Sequence, residues 1–284
     1  MGEFIKNIRA SIKMVLFVVS VSLYLVSAAI FYPLTFVNPI FARKILIRII
    51  SFYSRVGLAF MGVHVKVKGS TQNIIGQFIV SNHTGYLDVL VMASQFRACF
   101  VTSLEMRNTP FLGQLCEMGG CLYVDRKSRE NLANEVKMLT EALTKGLNVC
   151  VFPEGTSTNG SALMRFKRPL FSAAIDANCP VKIMCLNYER VNGVPVSTQN
   201  RDTIFWYGDM TFLAHLWSFF KNSRVDVELS VGEEICGVID FTQLSLIAHE
   251  RVEKLFRPIG SQEGHLASSA HWGLDVSSMS SSSK

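Results

Sequence analysis

The residues of this sequence best suited to acid–base chemistry are His83 and Asp88, five positions apart. On a helix their side chains would point about 140° away from each other, so the chain must turn between them if they are to meet. Gly85 lies between them and permits such a turn. A carboxylate on one imidazole nitrogen would fix the tautomer and leave the other nitrogen free to take a proton from an alcohol. The pair predicts a general base, although a single His near an Asp is more often structural.

A second segment, Tyr123-Val124-Asp125-Arg126-Lys127, follows apolar residues and carries a candidate anion-binding group. The planar guanidinium of Arg126 suits a bidentate grip on phosphate. Taken alone, the same residue would be read as a surface cation in a solvated turn.

A third segment holds an acid between two residues that alter the backbone, in Pro153-Glu154-Gly155-Thr156. Pro153 denies a sheet one hydrogen-bond donor, and Gly155 allows backbone N–H groups to approach a ligand. Lys167 and Arg168 add cations further along the chain. The segment could be a polar turn, but an acid between Pro and Gly after an apolar strand is an unusual way to make one.

Strands that alternate with helices are expected to position these three segments. We therefore predict an α/β fold with a mixed, partly parallel sheet flanked by helices, and a site in the loops after the carboxyl ends of its strands. The expected strands cover 63–67, 78–80, 121–124, 149–152 and 181–186, and the expected helices begin near Asp88, run from Ser128 to Lys145, and cover 171–177.

The N-terminal region is predicted to attach the protein to a membrane. No charged residue occurs from Met14 to Ala42, a run of 29 residues that is long enough to cross a hydrocarbon core. Basic residues lie on both sides of this run, which favours a hairpin or in-plane pair of helices over a single span. A signal peptide cleaved after Val26-Ser27-Ala28 is the alternative, but the apolar run continues to Val37.

A second helix is expected after Asn38 and Pro39, which suit the N-cap and first helical position. Its polar positions could face lipid headgroups, or the helix could be an ordinary amphipathic helix packed on the domain, and the sequence favours neither. The polar positions recur as Lys44, Arg48, Ser51 and Arg55.

Charge and composition divide the chain into three parts. The net charge of +6 is concentrated at the start, because residues 1–87 hold nine Lys and Arg but one acid. Basic residues that flank apolar stretches indicate a lipid surface and argue against a nucleic-acid partner. We expect a membrane anchor with an interfacial helix at 1–62, a catalytic domain at 63–260 and a disordered Ser-rich tail at 261–284. Seven cysteines without a C-x-x-C pair read as reduced thiols, so the catalytic domain is expected to face the cytoplasm.

In combination, H-x4-D, V-D-R and F-P-E-G-T behind an apolar N-terminus resemble the glycerolipid acyltransferases of the lysophosphatidate acyltransferase type, over roughly residues 60–220. The resemblance implies that His83 is the general base and Asp88 its orienting partner. It implies that Arg126 binds the acceptor's phosphate and that Glu154, Gly155 and Thr156 shape the acceptor site. It further implies acyl-CoA or acyl-carrier protein as donor, a membrane lysolipid as acceptor, no metal or other cofactor, and no covalent acyl-enzyme.

The acceptor is less well specified than the reaction. The first candidate is 1-acyl-glycerol-3-phosphate, which would give phosphatidic acid. Many members with that activity continue F-P-E-G-T with Arg, whereas this chain has Ser157, so Lys167 or Arg165 becomes the candidate for the missing charge. Another lysophospholipid, lyso-ornithine lipid or lysocardiolipin is the alternative acceptor. A non-catalytic membrane scaffold is a third hypothesis, which the presence of all the motif residues disfavours.

Overall fold

The structure, a computed structural model, describes residues 2–71, 75–125 and 130–260. In these ranges eight strands form one sheet. The strands are β1 Val63–Lys68, β2 Phe78–Val80, β3 Cys99–Ser103, β4 Leu122–Val124, β5 Val149–Val151, β6 Val181–Val191, β7 Val194–Pro195 and β8 Val225–Val231.

The sheet is mixed and mostly parallel. Its strand order is β1-β8-β6-β2-β5-β3-β4, and β7 pairs with β6. Neighbouring strands run parallel except where β6 pairs with β8 and with β7. Because β2, β4 and β5 run in the same direction, the loops that follow them emerge at one edge of the sheet. The predicted α/β fold is confirmed.

Helices cover both faces of the sheet. One core cluster joins the sheet to α1 Gly2–Phe31, α2 Pro39–Met61, α3 Tyr86–Gln95 and α8 Phe212–Phe220. The cluster on the other face includes residues of α6 Leu132–Thr144, α7 Ser172–Asp176 and α9 Phe241–Leu255. The short helices α4 Leu104–Arg107 and α5 Leu112–Met118 connect β3 to β4, and single 3₁₀ turns cover Tyr32–Phe36, Pro169–Phe171 and Arg201–Thr203.

The central strand β2 shows how the sheet separates the two cores. Ile79 belongs to the core with α1, α3 and α8, while Phe78 and Val80 belong to the core with α6, α7 and α9. All three side chains are fully buried. Alternate residues of a strand point to opposite faces, so a fully apolar strand is what a sheet covered on both faces requires.

Several predicted boundaries differ from the structure. The helix expected near Asp88 begins at Tyr86, and this places Asp88 in its first turn. The strand expected to end at Leu186 continues to Val191, because its second half pairs with β8. The predicted cap Ser128 lies outside the described residues. The strands β3 and β8 and the helices α8 and α9 were not predicted.

The N-terminal helices form an antiparallel hairpin. The rings of Tyr24 on α1 and Tyr53 on α2 pack edge to face at 5.8 Å, and the hydroxyls of Ser27 and Tyr53 are hydrogen-bonded at 3.0 Å. The Asn38 side chain accepts a hydrogen bond from the Phe41 N–H at 3.1 Å, so the predicted N-cap is confirmed.

One stripe of α1 packs on the rest of the molecule, and the other sides of the helix are exposed. The stripe contains Ala10, Lys13, Tyr24 and Ala28. Within the described residues, the segment Gly2–Phe36 is the one that is long and apolar enough to cross a membrane. The division of the chain at residue 62 stays a prediction.

The polar stripe expected on α2 is interrupted. Ser51 is 4% exposed, and Arg55 donates through Nε to the Ser94 carbonyl oxygen at 2.7 Å, whereas Arg48 remains exposed. The small side chain of Ser51 faces the protein because α2 packs against α1 and α3. The polar positions of α2 therefore do not form one face that is free for lipid.

Candidate active site

The loop after β2 is fastened to the neighbouring strand before it reaches the histidine. The Asn82 side chain donates to the Leu186 carbonyl oxygen at 2.9 Å and accepts from the Leu186 N–H at 2.8 Å. These two bonds continue the connection between β2 and β6 beyond the end of β2. The backbone that carries His83 is therefore held in place. Asn82 was not among the predicted site residues.

His83 and Asp88 meet, as their predicted pairing requires. The distance from His83 Nδ1 to Asp88 Oδ2 is 2.9 Å. The same oxygen accepts the N–H groups of Thr84 at 2.5 Å and Gly85 at 3.0 Å, so Asp88 also caps the first turn of α3. The other oxygen accepts the Thr84 hydroxyl at 3.0 Å and the Tyr188 hydroxyl at 2.6 Å. All of these hydrogen bonds come from groups of the protein, so the buried Asp88 carboxylate is held in one orientation.

Tyr188 supports the pair from 100 residues further along the chain. Its hydroxyl is buried and donates to Asp88, and burial beside that carboxylate raises the pKa of Tyr188 well above its ordinary value. The phenol therefore stays protonated and continues to donate. Its sequence separation from Asp88 explains why no local motif predicted it.

The imidazole ring of His83 lies flat on an aromatic ring. The centroids of His83 and Phe152 are 4.2 Å apart, with an angle of 15° between the planes. The His83 side chain is 21% exposed, and Nε2 has no hydrogen-bond partner among the described residues. Stacking on Phe152 and bonding to Asp88 fix the ring and leave Nε2 available to an incoming hydroxyl.

Gly85 is required by a close contact and not by its backbone angles. A Cβ atom at this position would lie 2.9 Å from the backbone nitrogen of Trp206. That nitrogen donates to the Thr84 carbonyl oxygen at 3.0 Å. The glycine therefore lets the Trp206 segment pack directly on the turn that carries His83 and Asp88.

Glu154 is a buried acid that binds backbone groups on both sides. It is 2% exposed, and it accepts the N–H groups of His83 at 2.7 Å and Met164 at 2.9 Å. Burial raises the pKa of Glu154 to about 7, although the two hydrogen bonds act in the opposite direction. The acid thus connects the loop after β5 to the turn that carries the histidine.

A second contact joins the same two loops. Thr158 donates to the His83 carbonyl oxygen through both its N–H, at 2.9 Å, and its hydroxyl, at 3.2 Å. The His83 backbone is consequently bonded at its N–H and at its carbonyl oxygen. Both partners come from the loop that begins at Pro153.

A cleft of about 210 Å³ opens beside Phe152, at the carboxyl ends of β3, β4 and β5. Gly155 has a φ of +76°, and the Lys167 side chain lies across it, since a Cβ at Gly155 would come within 2.5 Å of Lys167 Nζ. The cleft wall is mostly apolar, with Asp125 and Glu135 as its acidic members. The lining includes Val101, Val124, Leu132, Val151, Phe152, Pro153, Gly155, Lys167 and Phe171.

The remaining predicted site residues lie in different places, and one of them is not described by the structure. Arg126 lies outside the described residues, and Thr156 is exposed. Gly155 and Lys167 line the cleft. In the described ranges, no three side chains of the kinds that bind metals come together. The roles assigned to these residues stay predictions.

Comparison with known proteins places the chain among acyltransferases. A family model described as Acyltransferase matches residues 63–188, from β1 to Tyr188. A lyso-ornithine lipid O-acyltransferase of Rhodobacter capsulatus is 32% identical over 66% of this chain and 67% of that protein. One of Rhizobium meliloti is 26% identical over 64% of this chain and 65% of that protein. A 1-acyl-sn-glycerol-3-phosphate acyltransferase of Neisseria gonorrhoeae is 27% identical over 54% of this chain and 58% of that protein. The matches to these relatives span about two thirds of their length or less.

The fold is shared with a solved structure. The crystal structure of the 1-acyl-sn-glycerophosphate acyltransferase PlsC from Thermotoga maritima matches with a TM-score of 0.62. The match covers 88% of this chain and 96% of that chain at 18% sequence identity. At this identity the match establishes a common fold, including a mostly parallel sheet flanked by helices.

Proposed function

Because this chain belongs to the glycerolipid acyltransferase family, we propose that it transfers a fatty acyl group from a thioester to the free hydroxyl of a membrane lysolipid. The donor in this proposal is acyl-CoA or acyl-carrier protein. The observation that carries it is the 2.9 Å contact between His83 Nδ1 and the buried Asp88 carboxylate, beside an apolar cleft.

The mechanism follows from the two imidazole nitrogens. Nδ1–H donates to Asp88, so Nε2 is the unprotonated nitrogen and accepts the proton of the acceptor hydroxyl. The hydroxyl oxygen then attacks the thioester carbonyl carbon, and the C–S bond breaks as the ester forms. The imidazolium returns its proton to the departing thiolate. Asp88 stabilises the positive charge on the ring during this cycle, and Phe152 holds the ring plane.

Substitution of the proposed base tests this mechanism. His83→Ala is expected to lower the rate of lysolipid-dependent thiol release by at least about 100-fold, because general base catalysis contributes roughly 10²–10⁴-fold. The matched control is His64→Ala, which removes an exposed imidazole from β1. Both variants should still unfold cooperatively on heating and bind vesicles as the wild type does. A folded His83→Ala protein with near-normal turnover would exclude this mechanism.

We infer that this protein uses lyso-ornithine lipid as an acceptor in preference to lysophosphatidate. Two observations support this preference. Ser157 stands where a phosphate-binding Arg follows F-P-E-G-T in many lysophosphatidate-specific relatives, and the 32% identical relative from Rhodobacter capsulatus acts on lyso-ornithine lipid by name. A neutral side chain at position 157 is also compatible with a headgroup that carries an ammonium, which an Arg would repel.

A panel of lysolipids under one acyl donor distinguishes the two acceptors. The wild-type protein is expected to use lyso-ornithine lipid at least about tenfold better than lysophosphatidate, a difference of about 1.4 kcal/mol in transition-state binding. Ser157→Arg should raise the use of lysophosphatidate, and Ser157→Gln, which adds a polar but uncharged side chain, serves as the control. A wild-type preference for lysophosphatidate, unaffected by Ser157→Arg, would contradict this inference.

The proposal places the reaction at the cytoplasmic side of a membrane. The exposed apolar sides of α1 support membrane attachment. The seven cysteines are free thiols, which supports a reducing compartment. The proposed mechanism includes neither a metal nor a covalent acyl-enzyme.

A further inference from the structure

Helix α8 has a composition that a water-facing surface helix rarely has. Its sequence from Phe212 to Phe220 is Phe-Leu-Ala-His-Leu-Trp-Ser-Phe-Phe, which contains no Lys, Arg, Asp or Glu. A helix on the surface of a soluble domain normally carries charged residues on its outer side. A helix that is apolar on all sides is expected to be covered on all sides.

The structure covers one side of α8. His215, Leu216, Phe219 and Phe220 are buried. On the opposite side Leu213 is 67% exposed and Trp217 is 36% exposed. These two residues are four positions apart and therefore share one helical face, on which Ala214 is also exposed. The outer face of α8 is thus apolar and uncovered in the described part of the chain.

The carboxyl end of α8 is fastened to α1. Arg9 donates to the Lys221 carbonyl oxygen at 2.9 Å, and Lys13 Nζ donates to the Asn222 carbonyl oxygen at 2.7 Å. The Phe17 and Phe220 rings pack edge to face at 5.7 Å. These contacts hold α8 beside the part of α1 that exposes Ile12, Val15, Leu16 and Val19. Phe111, which is 39% exposed, packs on both Phe17 of α1 and Phe212 of α8, so an exposed apolar side chain lies between the two helices.

We propose that the outer face of α8 is a second membrane contact and lies in the interface of the same bilayer that receives α1. The bilayer is the occupant that fits, because this face adjoins the exposed apolar surface of α1. The indole of a tryptophan is favoured at the membrane interface, because its ring is apolar and its N–H can bond to water. At the end of the helix, the Lys221 ammonium lies 3.7 Å from the Glu3 carboxylate, a further contact that holds α8 on α1.

This contact brings the lipid surface close to the catalytic turn. The inner side of α8 touches Tyr86 through Phe212, with ring centroids 5.2 Å apart, and through His215, whose Nδ1 is 3.0 Å from the Tyr86 hydroxyl. Tyr86 precedes Asp88 by two residues in the first turn of α3. The membrane contact of α8 therefore lies one layer of side chains from the site.

Fluorescence quenching by brominated lipids tests the contact without reference to catalysis. Full-length protein is reconstituted in phosphatidylcholine–phosphatidylglycerol vesicles with or without bromine on the acyl chains. The difference between wild type and Trp217→Phe isolates the emission of Trp217. We expect bromine to lower this emission by about half or more, since interfacial helices bury their apolar face about 5–10 Å into the boundary region.

Two further variants place a reporter on known faces of the molecule. Leu213→Trp in the Trp217→Phe background keeps a tryptophan on the outer face of α8 and should be quenched in the same way. Leu246→Trp in that background places one on α9, where Leu246 is 51% exposed and the helix packs on the opposite face of the sheet. That reporter should not be quenched. If vesicle-bound protein shows no quenching at positions 213 and 217, the proposal is wrong.

Discussion

At the scale of single residues, the site contains two buried carboxylates with different surroundings. Asp88 accepts hydrogen bonds from His83, Thr84, Gly85 and Tyr188, which hold it as an oriented partner of the imidazole. Glu154 accepts two backbone N–H groups, and its burial outweighs them. The first carboxylate is suited to stabilise charge in the reaction, and the second connects two loops.

The raised pKa of Glu154 has a consequence for stability. Between the ordinary carboxyl value of 4.5 and about 7, the folded protein keeps a proton that the unfolded chain releases. Stability therefore falls as the pH rises through this range. The loss attributable to Glu154 is up to roughly 3 kcal/mol in the free energy of unfolding, since each pKa unit corresponds to about 1.4 kcal/mol.

Glu154→Gln removes this titration. Thermal unfolding in mild detergent should show the wild type losing stability relative to Glu154→Gln as the pH rises from about 5 to about 8. Glu253→Gln changes an exposed acid on α9 in the same way and provides the control. A constant difference between wild type and Glu154→Gln across this range would show that the acid is ionised throughout.

At the scale of elements, the turn that carries His83 and Asp88 depends on how closely the Trp206 segment approaches Gly85. An alanine there would force Trp206 away and weaken its hydrogen bond to Thr84. We expect Gly85→Ala to cost about 1–3 kcal/mol in the free energy of unfolding. We also expect turnover to fall at least about tenfold, because a small displacement of a catalytic group has a large effect on rate.

The control for this substitution is Gly57→Ala. Gly57 lies inside α2, and a Cβ there would meet no atom within 4 Å. Alanine is also the better helix former, so Gly57→Ala should be neutral or stabilising by up to about 1 kcal/mol. Equal unfolding midpoints and equal turnover for the two variants would refute the role given to Gly85.

The catalytic loops could be predicted because each one follows a short apolar strand. Buried parallel strands bring their carboxyl ends to one edge, so His83 and Glu154 could be expected to approach each other from sequence alone. Tyr188 could not be predicted, since it reaches Asp88 only after β6 has paired with β2. Phe152 was read as a strand residue, and its stacking on the imidazole depends on a register that periodicity does not specify.

The elements that were not predicted have sequence patterns that fit more than one type of secondary structure. Helix α8 has only two polar residues, His215 and Ser218, in nine positions, and a short apolar run of this kind can form a helix or a buried strand. Strand β8 alternates apolar and polar residues, but Asp226 and Glu228 are uncommon in strands. Glu228 is stabilised there by Lys68 and Arg257, two partners that lie far from it in sequence.

At the scale of the whole molecule, α1 is bonded to several separate parts of the protein. Lys13 donates to the carbonyl oxygens of Met61, at the end of α2, and of Asn222, after α8. Tyr24 donates to the Leu115 carbonyl oxygen on α5 at 2.7 Å. The helix therefore supports the packing of the body in addition to offering an apolar surface to lipid.

Removal of α1 is expected to destabilise the catalytic body. A variant without residues 2–31 removes the Lys13 donor from the Met61 and Asn222 carbonyl oxygens and uncovers Phe220, which packs on Phe17. Its unfolding midpoint in detergent should fall by at least about 5 °C, since 1 kcal/mol corresponds to about 2–4 °C for a chain of this size. The control is a chain that ends at residue 260 and loses only the predicted tail. An unchanged midpoint without residues 2–31 would show that α1 is an anchor only.

In the proposed membrane-bound protein, the bonds from Lys13 would also fix how far the His83 imidazole lies from the lipid. Because these bonds fasten α1 to the body that carries His83, the imidazole would not descend to meet a hydroxyl that lies deep among the acyl chains. Each lysolipid must instead rise until its hydroxyl reaches the level of Nε2. The depth at which a lipid carries its hydroxyl therefore becomes a selection criterion of its own, separate from the chemistry of the headgroup.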